Sequence, residues 1–332
     1  MTVRVAVTGA GGPSAVSFMR AIAGNDVAAF AGDPDPYAPG LYIVPESRRW
    51  ILRCGDDERF VDDLLERCDE ARIDVLVPTV DAELLAISRR RGEFEANGTR
   101  VMLSPTHTLE LCLDKWALVC ECTGCCPVPE TSILDEWFAM PDDSPPILMK
   151  PRRGAGARGV RIVENASCLC DWPRDGSFLA QECLTGAEYS VDVLCAPNGD
   201  VLVAVPRSRL KIDSGVAVVG RTVRDERLES LASAVAKRLG IRYVANVQFR
   251  EDANGTPKLL DVNARFPGTM PLTVASGVDM PRLALDLVLG RPIDKSKLEY
   301  DEVAVVRTWQ EHAVPLADLA AMESRAKGKE AA

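Results

Sequence analysis

The run Asp261-Val262-Asn263-Ala264-Arg265 sets carboxylate, amide and guanidinium side chains two positions apart. In a β-strand that spacing puts all three on one face. Tyr243 to Phe249 and Lys258 to Val262 read as strands, and Asn254-Gly255 between them is a strong two-residue hairpin signal. With that dipeptide as the turn, Gln248 falls opposite Asp261. Gln248, Asp261 and Asn263 then offer the oxygen ligands that suit magnesium, which takes one or two carboxylates and completes its octahedron with water and phosphate. Arg265 is placed to clamp a phosphate through two parallel hydrogen bonds. The same residues also describe a half-exposed hairpin with a polar solvent face, so other segments must decide.

A second cluster begins at Lys150, which ends the apolar segment Pro146-Ile147-Leu148-Met149 and leads into a loop carrying Arg152, Arg153, Gly154, Gly156, Arg158 and Gly159. Val160 to Val163 resumes a strand. Strands on both sides exclude a Walker A loop or a Rossmann turn, each of which opens a helix. The segment reads as a cationic hairpin lid for a triphosphate, or as an ordinary basic hairpin. Farther on, Phe178 to Leu184, with Gln181, Glu182 and Cys183 inside it, reads as a buried strand, Thr185-Gly186 as a turn, and Glu188 to Val193 as another strand. Main-chain groups of Glu182 to Leu184 could meet an adenine edge and Glu188 could accept ribose hydroxyl protons, although an edge-strand turn accounts for them equally well. Arg207, Arg209 and Lys211 alternate along one strand and Arg221 follows Gly215 and Gly220, which suggests a carboxylate-binding row or a solvated basic strand. Thr79, Asp81 and Glu83 follow an apolar strand at the end where open parallel sheets place ligands. Asp81 or Glu83 could read a substrate ammonium; Glu83 is equally a solvated acid at a helix N-terminus.

These residues need a scaffold. Residues 1 to 105 alternate strand and helix: Val3 to Thr8, a helix from Ser14 to Ala23, Ala28 to Gly32, a helix from Glu58 to Glu70, and Val75 to Pro78. That order predicts a parallel sheet. The first turn, Gly9 to Ser14, could hold an anion at a helix N-terminus, but it matches the dinucleotide fingerprint only partly, because Ser14 stands at the third glycine position. Asp33 could bind a ribose or, beside Pro34 and Pro36, make a turn. A helix is expected through Leu109 to Cys122, and the tail from about 315 is expected to fray after a last helical turn.

With 332 residues and 47% apolar content the chain can bury a full core, and its length suggests roughly two or three domains. A net charge of −10 and a pI near 5.0 argue against a nucleic-acid partner. No apolar run approaches the length of a membrane span, and Val3 to Val7 is a strand where a signal peptide would carry its apolar region, so a cytoplasmic location is expected. The eleven cysteines read mostly as small buried residues. Cys120, Cys122, Cys125 and Cys126 could bind zinc, but no second cluster accompanies them and His107 and His312 are the only histidines, so a helix end before Pro127 is preferred.

Taken in order, Asp114-Lys115, Lys150-Pro151, the glycine loop, Gln181-Glu182, Gly186 with Glu188 to Asp192, Gln248, and Asp261 to Arg265 resemble the ATP-grasp superfamily. The likeness is to the carbamoyl-phosphate synthetase large-chain branch and its stand-alone ligase relatives, over residues 3 to about 310. It implies an α/β fold: a Rossmann-like parallel sheet over 1–105, two α+β ATP-grasp subdomains over 106–183 and 184–315, and a polar tail over 316–332. By position it implies that Lys115 and Lys150 contact ATP phosphates under the 152–159 loop, with Arg153, Gly154, Gly156 and Gly159. Gln181, Glu182, Cys183 and Leu184 would hold adenine, and Glu188 the ribose. Gln248, Asp261 and Asn263 would surround magnesium, or manganese in its place, with Lys150, Asn263 and Arg265 catalytic. Asp261 departs from the usual Glu, which leaves the number of metal ions open. The activity implied is a carboxylate–amine or carboxylate–thiol ligase working through an acyl phosphate on a small amino-acid-like or peptide-like acid, in a branch that often forms homodimers. A nicotinamide-dependent oxidoreductase using Gly9 to Ser14 and a nucleotide-binding regulator without turnover are the alternatives.

Overall fold

The alternation at the start of the chain closes into a five-stranded parallel sheet, ordered β3-β2-β1-β4-β5. Its strands are β1 (Val3–Thr8), β2 (Val27–Asp33), β3 (Arg49–Ile51), β4 (Val75–Val77) and β5 (Arg100–Val101). β3 and β5 are too short to show a pattern in the sequence. The computed structural model describes residues 2–140, 145–154, 158–169, 172–213, 216–308 and 310–330; Gly156 and Gly215 lie outside them. Helices α1 (Pro13–Ala21), α2 (Phe60–Glu70), α3 (Asp81–Arg89) and α4 (Arg91–Ala96) flank this sheet.

The helix expected through Leu109 to Cys122 is two helices, α5 (Thr106–Leu113) and α6 (Lys115–Cys122). The break is chemical. Asp114 takes an extended backbone, and its carboxylate accepts the N–H groups of Trp116 and Ala117 at 3.1 and 3.2 Å, so it caps α6 instead of continuing α5.

A four-stranded antiparallel sheet, ordered β6-β9-β7-β8, follows: β6 (Thr131–Ile133), β7 (Ile147–Pro151), β8 (Arg161–Val163) and β9 (Phe178–Glu182). The last sheet is antiparallel with six strands, β14-β13-β10-β11-β12-β15: β10 (Glu188–Cys195), β11 (Val201–Asp213), β12 (Val216–Thr222), β13 (Tyr243–Glu251), β14 (Pro257–Asn263) and β15 (Ala304–Val306). Helix α7 (Glu226–Leu239) covers its apolar face, where Val191, Val193, Val247 and Phe249 are fully buried with Leu228 and Val235. Helices α8 (Met270–Ala275) and α9 (Met280–Val288) pack toward α1 and the first sheet; Phe18, Phe266, Met270 and Met280 share one core.

The β13–β14 hairpin reaches the predicted pairing by a different path. Its turn is the five-residue loop Asp252 to Thr256, whose Asp252 carboxylate accepts the N–H groups of Asn254 and Thr256 at 2.9 Å each. That loop alone sets Phe249 against Leu259, one residue off the register of a two-residue turn. A bulge then leaves Leu260 unpaired and restores Gln248 opposite Asp261.

The tail also departs from expectation. It is the helix α10 (Leu316–Glu330), and Met322 on it is fully buried. Arg49 pairs with Asp318 at 3.3 Å, Arg325 with Glu46 at 2.7 Å, and the Tyr37 hydroxyl donates to Glu323 at 2.8 Å. The polar composition that suggests fraying is instead the outer surface of a docked helix. Among the described residues no helix is long and apolar enough to cross a membrane.

Candidate active site

Register alone assembles one polar face on the six-stranded sheet. Gln248 pairs with Asp261 and with Ser190, Ser190 with Arg207, Asn246 with Asn263, and Asp192 with Asn246. Directly opposed residues share a face, and so do residues two apart. Glu188, Asp192, Arg207, Arg209, Asn246, Gln248, Asp261 and Asn263 therefore stand on the side away from α7. Hydrogen bonds knit its floor. The Arg207 guanidinium and the Asn246 amide both donate to Asp192 Oδ1 at 2.7 Å, the Thr273 hydroxyl on α8 donates to Oδ2, and Gln248 donates to Asn246 at 3.2 Å. Asp192 and Arg207 are buried, a setting in which an ion pair persists only when it is well hydrogen-bonded.

The other two sheets bring cations to the same place. Lys150 at the end of β7 is only 6% exposed; its ammonium donates to the carbonyl of the bulged Leu260 at 3.4 Å. Burial pushes its pKa down to about 8, with Asp261 opposing the fall and Lys115 adding to it. Asp261 is shifted the opposite way: desolvation raises its pKa against the charges of Lys115 and Lys150. Lys115 starts α6, and its ammonium donates to the Gly154 carbonyl at 2.6 Å, which ties the cap of α6 to the glycine loop. Asp114 completes that tie, accepting from Arg152 Nε at 2.8 Å and Arg153 at 3.1 Å. Arg153 is thus partnered from below while its side chain stays mostly exposed, and Gly159 takes a positive φ of 75° close against Pro151.

The first sheet supplies the last wall. Asp81 at the start of α3 grips Arg265 through two hydrogen bonds of 2.6 and 3.0 Å, and Arg265 also donates to Asn263 at 3.3 Å. Asp81 holds a protein guanidinium here, in place of the substrate ammonium considered above. Glu83 is not a solvated acid. It is 4% exposed, accepts from the Thr8 hydroxyl, and burial pushes its pKa up to about 8.

Around the expected base-binding hinge, Gln181 is buried and donates to Thr131 at 2.8 Å. Its Oε1 has no partner among the described residues. The Glu182 N–H is spent on the Glu130 carbonyl at 2.8 Å, and the Glu182 carboxylate takes Lys258 through both oxygens at 2.7 Å. The backbone beyond runs through half-buried Cys183 and buried Leu184. Glu188 is held by Arg209.

Of the four cations nominated for a substrate acid, Arg207 and Arg209 face the site. Lys211 does not, because a bulge between Arg209 and Lys211 reverses the alternation. Arg221 pairs with Ser208 and so also faces the other way; both are exposed. Arg307, which the sequence reading passed over, extends the site face just beyond β15 and donates its N–H to Val218. Its pKa is lowered by burial and by the charge of Arg207. Arg207 Nε has no partner among the described residues. Asp192 was named in the ordered motifs without a role, and Asn246 and Lys258 were missed as site residues. For Asn246 the signal was available, since it lies two residues before Gln248 on a strand.

The glycine turn is closed by the protein itself. Asp33 accepts the Gly11 N–H at 2.7 Å and the Asp35 N–H at 2.9 Å, so its turn role is the one realised, with a carboxylate already on the loop. The cysteine cluster ends a helix: α6 stops at Cys122, and Cys126 Sγ donates to the Cys122 carbonyl at 3.9 Å. Among the described residues no group of three His, Cys, Asp or Glu side chains could hold a metal ion. The oxygen face of Gln248, Asp261 and Asn263 does fit a magnesium or manganese ion, but with a single carboxylate, so such an ion would need phosphate oxygens to complete its shell.

A five-stranded parallel sheet joined to two antiparallel sheets, with Lys115 and Lys150 brought to Asp261 on a polar face, is the arrangement of an ATP-grasp fold, and comparison with known proteins agrees. The family described as "ATP-grasp in the biosynthetic pathway with Ter operon" matches residues 174–312, and "PylC-like, N-terminal domain" matches residues 6–102. Residues 174–312 thus match an ATP-grasp family model, and the solved structures that resemble this chain show the same fold. Rhizobium etli pyruvate carboxylase is similar with a TM-score of 0.74 and 15% identity over 92% of this chain, which spans only 31% of that one. The biotin carboxylase domain of Hydrogenobacter thermophilus 2-oxoglutarate carboxylase, solved with MgADP and bicarbonate, gives 0.71 and 17% over 91% of this chain and 73% of that one. An L-amino acid ligase from Bacillus licheniformis gives 0.67 and 18% over 90% and 78%.

Proposed function

We propose that the chain is an ATP-dependent carboxylate–amine ligase that forms ADP and phosphate through an acyl phosphate. The observation that carries this reading is the convergence of Lys150 and Lys115 from separate elements on Asp261, with Arg265 held beside Asn263 by Asp81. The chemistry needs that layout. A substrate carboxylate attacks the terminal phosphorus of ATP, the bond to the bridging oxygen breaks, and ADP leaves; an amine then attacks the acyl carbon and phosphate leaves. The first step brings two anions together, so it depends on fixed positive charge and in-line positioning, not on covalent catalysis.

Lys150 and Lys115 bind the phosphates, and Arg265, held in orientation by Asp81, faces the transferred group. A magnesium ion bound with the nucleotide at Asp261, Asn263 and Gln248 would supply further phosphate neutralisation. Adenine lies along Cys183 and Leu184 beneath Gln181, and the ribose reaches Glu188. The 152–159 loop closes over the phosphates and keeps water from the acyl phosphate. For the acid substrate, half-buried Arg307, beside the buried Arg207–Asp192 pair, is the cationic end of the face; an amino-acid-like or peptide-like acid fits it. The likeness to an L-amino acid ligase supports an amine as the acceptor. The Hydrogenobacter domain was solved as a dimer, which supports a homodimer here.

The test is ADP and phosphate release from MgATP against pooled amino acids and small carboxylic acids, with Lys150→Ala as control. Stimulation by one acid and amine pair, lost in the variant, is expected. AMP as product would sink the acyl-phosphate route, a thiol acceptor would redirect the second step, and binding without turnover on any pool would favour a regulator.

A further inference from the structure

A second cationic site lies away from the polar face, where α10 docks beside β3. There a cavity of about 380 Å³ is walled by Arg49, Arg53, Arg67, Arg325 and Lys329, with Ile51 and Gly328 completing it. Five of its seven walls are cationic and none is acidic, in a chain whose net charge is −10. The carboxylates that pair with these cations stand behind them: Asp318 with Arg49 at 3.3 Å, Asp57 with Arg53 at 3.4 Å, Glu46 with Arg325 at 2.7 Å, and Asp63 with Lys329. Arg67 is 3.8 Å from Asp63, beyond hydrogen-bond reach, so its donors there are spare. Four carboxylates thus answer five cations, and the Arg49, Arg53 and Lys329 side chains are only 9, 13 and 17% exposed, so water screens the excess charge little. An anion would offset the mutual repulsion of charges gathered in a space within the usual ligand-pocket range of roughly 300 to 1,000 Å³.

Gly328 lines the cavity from an exposed position on α10. It sits in the last turns of a helix, where glycine is the weakest ordinary helix former, and a Cβ built on it would meet nothing within 4 Å. The position therefore has room for a side chain at the edge of the cavity. An adjoining cavity of about 600 Å³ shares Arg49, Arg67 and Arg325 and adds Phe30, Trp50 and the carboxylates Glu46 and Glu70, so the anion is confined to the first cavity.

We propose that this cavity is a binding site for a small multivalent phosphate, a phosphate or pyrophosphate ester, separate from the nucleotide site. Guanidinium forks suit phosphate oxygens, and a ligand touching Arg53 and Arg67 on one side and Arg325 and Lys329 on the other would lock α10 onto the first sheet.

The experiment is calorimetric titration of the full chain with sodium pyrophosphate, in EDTA and at about 0.15 M salt so that diffuse surface attraction is screened. Three proteins are compared: the natural chain, Lys150→Ala, and Gly328→Glu, which puts a carboxylate in the cavity without removing an existing contact. Saturable binding with Kd below about 1 mM is expected in the natural chain and in Lys150→Ala, weakened at least about tenfold in Gly328→Glu. The Arg53→Met, Arg67→Met double variant should lose it as well, and circular dichroism melting verifies that each variant is folded. Binding lost in Lys150→Ala and kept in Gly328→Glu would put the anion in the nucleotide site and overturn the proposal; no saturable binding in the natural chain would reduce the cluster to a belt of ion pairs and overturn it too.

Discussion

Lys150 shows how a single side chain sets both chemistry and cost. Its pKa of about 8 against an ordinary 10.5 comes from burial, so the free protein spends stability to hold an ammonium where phosphates are to arrive. The folded chain releases this proton more readily than the unfolded one, so stability should rise with pH from about 8 to about 10.5. Lys150→Met removes the buried charge and should gain about 1–3 kcal/mol at pH 7 in urea unfolding while abolishing ATP turnover. MgATP affinity should move the other way with pH: above pH 8 the neutral amine loses its phosphate contact, and Kd should climb by up to about tenfold per unit. Titration calorimetry from pH 6.5 to 9.5 checks this, and a slope that persists in Lys150→Met would assign the dependence to another group. Glu83 has the opposite sign. Its folded pKa of about 8 lies above the ordinary 4.5, so it favours the folded state most at low pH, and stability should fall as pH rises from about 4.5 to about 8. Glu83→Gln should flatten that fall and be more stable at pH 8 by a few kcal/mol. Melting curves of the two proteins at pH 5 and pH 8 would reveal it, and an equal gain at both would refute burial of the proton as the cause.

At the scale of elements, short irregularities between regular segments do the positioning. Leu260 exists as a bulge to correct the register of a five-residue turn, and its freed carbonyl meets Lys150. A second bulge, after Arg209, turns Lys211 away from the site. Both were invisible in the sequence, because a period-2 pattern reads the same on either side of a single inserted residue until the partner strand is known. Asp114 joins helix, loop and strand: it ends α5, caps α6 and holds Arg152 and Arg153. Asp114→Asn keeps a capping oxygen but gives up charge, whereas Asp114→Ala loses both. Relative to the natural chain, Ala should cost about 1–2 kcal/mol of stability and Asn less than half of that, while both raise the KM for ATP by freeing the loop that Lys115 and Arg152 anchor. Equal stability losses in the two variants would mean that the ion pair, and not the cap, is the structural contribution.

Across the whole molecule, what could be read beforehand was whatever is local or periodic. The strands β1, β2 and β4, the pairing of Gln248 with Asp261 and the ordered motifs from Lys115 to Arg265 are carried by alternation and by residue type at short spacing. Long-range pairings were not legible. Nothing near Asp81 announces Arg265, 184 positions away, and nothing near Arg207 announces its contact with Asp192 in preference to a substrate. The tail failed for the same reason. Residues 316–330 look like a fraying end because their polar surface dominates the composition, and Met322, the fully buried residue among those that dock them, is indistinguishable by type from an exposed methionine. Its burial against the first sheet's core joins the end of the chain to the beginning. If α10 is part of the folding unit, Met322→Ala should cost about 2–4 kcal/mol in a single cooperative unfolding transition, the penalty of a core cavity. If α10 only rests on the surface, the main transition should stay within about 0.5 kcal/mol and only proteolysis after residue 315 should quicken. Denaturant unfolding followed by the tryptophan signal, with Trp50 on β3 close to the docked helix, distinguishes the two, because only a helix that shares the core can move the midpoint at which that strand melts.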